Sequence, residues 1–100
     1  MPISHNRIYE EQATIAGGTI YQTSLVRGFL RHIIVQSATD STTFDFAISD
    51  GSSLNLFERE SQTGELNETV IIPVQSPISL TVSNATRDEL FKVYIAVQNE

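Results

Sequence analysis

Phe44, Phe46 and Ile48 alternate with Asp45, Ala47 and Ser49, so one side of this segment is apolar and the other mostly polar. A two-residue period is that of a β-strand with one face on a core. The alternation recurs at Val70, Ile72 and Val74, at Ile78, Leu80 and Val82, and at Phe91, Val93, Ile95 and Val97. These runs are short and rich in β-branched and aromatic residues, as strands prefer. The segment Phe29 to Gln36 is almost continuously apolar and reads as a strand covered on both faces. Thr19 to Val26 reads as a strand with an irregularity, bracketed by Gly17-Gly18 and Arg27-Gly28.

Between these runs lie turn signals. Asp50-Gly51-Ser52-Ser53 joins the Phe44 strand to a strand from Leu54 to Arg59, which predicts a hairpin. Gln62 to Glu65 and Gln75-Ser76-Pro77 mark further turns. Asn84 to Glu89 is a polar connection with room for one helical turn at most. Pro73 cannot donate to a sheet, so the Val70 strand is expected at an edge or to contain a bulge. No segment keeps a helical period over three turns. The expectation is an all-β fold: an antiparallel, jelly-roll-like β-sandwich of about 7–9 short strands with no substantial helix. A single domain is expected over 13–100. Residues 1–12 are polar and weakly periodic, and read as an arm or as an extended segment that pairs with a neighbour.

Composition narrows the function. The chain has 100 residues, 40% of them hydrophobic, and a net charge of -6. It is too apolar for disorder, and no apolar run approaches the roughly 18–20 residues of a spanning helix. No basic-then-apolar leader opens the sequence. Without cysteine there is no disulfide, thiolate metal site or cysteine nucleophile. Twelve acidic residues against six basic ones, with the arginines scattered, argue against nucleic acid as a partner.

Candidate chemistry is sparse. The histidines are His5, in the arm, and His32, in a strand. No Gly-x-Ser-x-Gly elbow gives a serine a catalytic context. Asp40 and Asp50 flank an extended strand about 30 Å apart and cannot share a cation unless the chain folds back. With Asp45 they read as one solvated strand residue and two turn residues. Glu58, Glu60, Glu65 and Glu68 read as a solvated acidic loop, since a glycosidase pair also needs a cleft with aromatic platforms. Asn67-Glu68-Thr69 and Asn84-Ala85-Thr86 match the glycosylation sequon, a short pattern common by chance. No enzyme, cofactor or metal is therefore expected. Tyr94 and Phe57 fall out of phase with their apolar neighbours, so they are candidate interface residues together with Tyr9 and Tyr21.

From Gly28 to Val97 the chain resembles small β-sandwich virion proteins of tailed bacteriophages. The residues carrying the likeness are Leu30 to Val35, Thr42 to Asp50, Thr63-Gly64-Glu65-Leu66 and Leu80 to Thr86. The resemblance implies a capsid decoration or head-accessory subunit, assembled in a host cytoplasm and resident on the virion. It implies a homo-oligomer, with a trimer favoured, and a major capsid or other virion protein as partner, with residues 1–12 as the clamping arm. The alternative is a carbohydrate- or receptor-binding jelly-roll module.

Overall fold

The computed structural model describes residues 8–23, 27–50, 55–75 and 77–98. Eight strands account for most of them: β1 (Ile8–Ala16), β2 (Ile20–Gln22), β3 (Gly28–Ser37), β4 (Thr43–Ser49), β5 (Asn55–Thr63), β6 (Glu65–Val74), β7 (Ser79–Ser83) and β8 (Leu90–Gln98). They form two four-stranded antiparallel sheets, ordered β1-β8-β3-β6 and β2-β7-β4-β5. Strand β1 pairs with β8, β2 with β7, β3 with β6 and β4 with β5, as in one long hairpin rolled so that successive pairs fall in opposite sheets. That is the jelly-roll order, not the immunoglobulin one. No described segment is helical, and Asn84 to Glu89 is irregular.

The alternating apolar positions form the core. Leu30, Ile33, Val35, Phe91, Val93 and Ile95 of one sheet face Phe44, Phe46, Ile48, Leu80 and Val82 of the other, all buried in one cluster. The sheets meet at Phe44 and Phe91, whose ring centroids lie 5.2 Å apart and tilted by 60°. Each such ring withdraws a large apolar area from water, which is the main stabilising term for a sandwich of this size.

The apolar run in β3 has a different cause from the expected double cover. Against β8, Leu30 pairs with Val97 and His32 with Ala96, so Arg31 is the extra residue of a β-bulge. The bulge inverts the phase: Leu30 and Ile33 both point inward, and Arg31 and His32 both stand on the outer face. Phe29 and Ile34 remain outside, half-buried.

Strand β6 carries Pro73 on the edge of its sheet and is irregular opposite the same bulge, as the proline required. From Ile8 onward the polar N-terminal segment is strand, paired with β8 in unbroken register; residues 1–7 lie outside the described residues. Strand β1 is hard to read in sequence because only Ala13 and Ile15 give its inner face an apolar rhythm.

Candidate functional site

Several side chains with chemical capacity, among them Glu10, His32 and Tyr94, lie on the outer face of the β1-β8-β3-β6 sheet. Across its centre, Gln12, Tyr94, Ile34 and Asn67 stand in one row, and Glu10, Ala96, His32 and Thr69 in the next. The rows follow from antiparallel register, which sets cross-strand neighbours about 5 Å apart. A depression of about 590 Å³ opens beside Tyr94 and is lined by Gln12, Thr14, Ile34, Gln36 and Lys92.

The polar groups on this face bond to one another. The Tyr94 hydroxyl donates to Glu10 Oε2 at 2.6 Å. That bond, with partial burial and the nearby negative charge, raises the phenol above its ordinary pKa. His32 Nε2 lies 2.6 Å from Asn67 Oδ1, while Asn67 Nδ2 turns toward Glu65 at 3.4 Å. With the amide oriented so, Nε2 carries the proton and donates. The His32 and Tyr94 rings meet edge-on at 6.4 Å. Arg31, lifted by the bulge, donates to Gln98 Oε1.

The margins are laced in the same way. On one open side Tyr21 of β2 donates to Glu11 of β1, joining the two sheets. On the other, Arg59 of β5 forms a two-pronged pair with Glu68 of β6, at 2.6 and 2.8 Å. The Arg59 guanidinium also lies 4.4 Å from the Phe57 ring centroid and covers that end of the core. At one end of the sandwich, Glu89 accepts from the Thr39 amide, the Thr39 hydroxyl and the Thr42 hydroxyl, at 3.0, 3.0 and 2.9 Å. Desolvation pushes its pKa up, but these hydrogen bonds outweigh that and hold the carboxyl below its ordinary value. Asp45 accepts from Asn84 at 2.7 Å and from the Ser61 amide at 2.9 Å, and both bonds lower its pKa.

The candidate residues therefore divide. Tyr94 stands on the outer face beside the depression. Phe57 does not reach a surface: it is 6% exposed, opposite Ile48, with its ring 6.3 Å from Phe46. The phase of β5 is the reverse of the expected one, with Phe57 inward and Leu56 half-buried. Tyr21 packs against the core and uses its hydroxyl on Glu11. Tyr9 pairs with Val97, but its side chain lies outside the described part, as does His5.

Asp45 is a strand residue of β4, as expected, and it also ties Ser61 of β5 to Asn84 just beyond β7. Asp40 is exposed in a turn, and Asp50 is half-buried just after β4; the turn expected to follow it, at 51–53, lies outside the described residues. Of the four glutamates, Glu58 takes a bond from Asn55 at 2.8 Å and Glu68 holds Arg59, so the four do not converge. Among the described residues no group of three His, Asp or Glu side chains is placed to hold a metal ion. Glu89 escaped sequence reasoning because its partners lie about fifty residues away and share no motif with it. No known family model matches the chain, and no curated protein is similar to it in sequence.

Proposed function

We propose that the chain is a structural subunit of a phage virion, of the capsid-decoration or head-accessory type, that self-associates and binds the particle surface. The observation that carries this reading is how the ionisable side chains are used. Glu10, Glu11, Asp45, Glu68 and Glu89 each tie one strand or loop to another. A catalyst keeps such groups aimed at a substrate; a packing subunit uses them to hold its shape. The jelly roll supports the reading as an architecture shared by viral coat and lectin domains, although fold alone does not assign function. Repetition on a lattice would give avidity from weak single contacts, which suits a small subunit.

The direct test is co-sedimentation of the purified chain with phage shells stripped of accessory proteins. Saturable binding in fixed ratio to the major capsid protein is expected; the absence of binding to shells contradicts the proposal. A carbohydrate- or receptor-binding module is the second reading, favoured by the depression beside Tyr94 with Gln12, Gln36 and Lys92 around it. A glycan array decides it: reproducible binding that Tyr94→Ala abolishes supports this reading, and uniform silence removes it.

A further inference from the structure

The two sheets of the sandwich present four edge strands, and they are not equivalent. An exposed edge offers unpaired amides and carbonyls to any second strand, so edges are either blocked or used. Strand β2 is three residues long and too short to template a partner. Strand β5 is broken by a bulge at which Ser61 adopts a φ of 55°, and it carries Glu58, Arg59 and Glu60 in succession. Strand β6 carries Pro73, an irregular register, and the charged Glu68 turned toward the inner side opposite Ile33. Each of these is a known device against edge pairing.

Strand β1 has none of the backbone devices. It runs nine residues with no proline or glycine, and its register with β8 is continuous from Ile8 to Ala16. In the sheet it has β8 on one side and no described strand on the other. Its one inward carboxylate, Glu11, is taken up by Tyr21 and does not block the edge. The outward residues Glu10, Gln12 and Thr14 are exposed.

We infer that the outer edge of β1 pairs antiparallel with β1 of a second copy of this chain, joining the two β1-β8-β3-β6 sheets into one. A two-fold axis perpendicular to a sheet keeps equivalent residues on the same face, so the axis must pass beside a single residue and pair it with itself. Centring on Gln12 is the register that uses all nine residues of β1, with Ile8 opposite Ala16. It sets Glu10 opposite Thr14 and Glu11 opposite Ala13, so no carboxylate faces a carboxylate. Centring one or two residues earlier sets Glu11 or Glu10 against itself, and like charges in that position repel. Centring later leaves the start of β1 unpaired. The inference goes beyond the virion assignment and needs nothing from it; a pair that forms in solution while shells are not bound would separate the two.

The absence of cysteine gives a clean background for the test. Gln12→Cys is expected to give a covalent dimer on mild oxidation or with a short thiol-to-thiol cross-linker, while Glu58→Cys, on the opposite side of the sandwich, is not. Light scattering on the native chain should give twice its 11.1 kDa mass at high concentration. Gln12→Glu gathers four carboxylates at the axis. It should weaken association by about tenfold, more at low salt than at high. A native chain that stays monomeric or forms trimers, or a dimer in which Gln12→Cys cross-links no better than Glu58→Cys, overturns the inference.

Discussion

Two left-handed glycines show how much a single backbone position can cost. Gly64 turns from β5 to β6 at a φ of 74°, and a Cβ there would lie 2.7 Å from the Asp40 carbonyl oxygen. Gly18 has a similar φ of 83° but open space around it. Gly18→Ala should therefore cost about 1 kcal/mol, from the left-handed conformation alone. Gly64→Ala should cost about 2–4 kcal/mol, because the Asp40 backbone must also move. Urea unfolding of the two variants measures the difference; equal costs would contradict the close approach.

Glu89 sets a second residue-scale expectation. Its folded pKa is lowered, so its contribution is present above the unfolded value near pH 4 and is lost as pH falls through the folded value. Asp45 acts with the same sign. Glu89→Gln should flatten the fall in stability below about pH 4 and lower stability at neutral pH. Thermal melts from pH 7 to pH 2 would show it; an unchanged acid slope would mean that the threonine bonds do not persist. None of this was legible from the chain. Phe44, Phe46 and Ile48 announce a strand by their own spacing, whereas Glu89 acquires meaning only when the fold brings Thr39 and Thr42 to it.

At the scale of elements, legibility follows the number of apolar neighbours. Strands β4, β7 and β8 lie inside their sheets and alternate plainly, so their inward faces were readable. Strand β1 sits at an edge with few apolar residues and read as an arm. In β5, Phe57 and Leu56 are adjacent, and pattern alone does not say which points inward; pairing with Ile48 decides it. In β3, a bulge that sequence does not mark produced an apolar run resembling double cover.

The margins are testable here. The Arg59–Glu68 pair is partly exposed, at 43% and 30% for the two side chains, so its coupling in a double-mutant cycle should be about 0.5–1 kcal/mol and fall in high salt. A coupling that is absent at low salt would mean that β5 and β6 are not joined there. Pro73 protects the β6 edge, and Pro73→Thr should leave the fold intact while increasing sheet-type aggregation on prolonged incubation. Thioflavin fluorescence reads this, and no increase over the native chain would show that the bulge suffices without the proline.

The molecule as a whole is an elongated sandwich, 52 × 27 × 18 Å, with its core closed and its functional capacity on the outside. Among the described residues the large exposed aliphatic side chains, Ile20, Ile71 and Leu90, lie on three different strands. The proposed contacts with partners then fall to strand edges and the polar outer face, both of which suit repeated, individually weak association. The fold was legible in the alternation; the outer face was less so, because Tyr94 was marked by its phase, but Glu10 and His32 meet it, and Asn67 meets His32, only through register.

The measurement that bears most directly on the proposed role is the number of copies of the chain in purified phage particles, taken by quantitative mass spectrometry against the major capsid protein. A fixed ratio that survives repeated banding of the particles is the expected result. Particles that lack the chain, or carry it only in traces that wash away, would contradict a structural role in the virion.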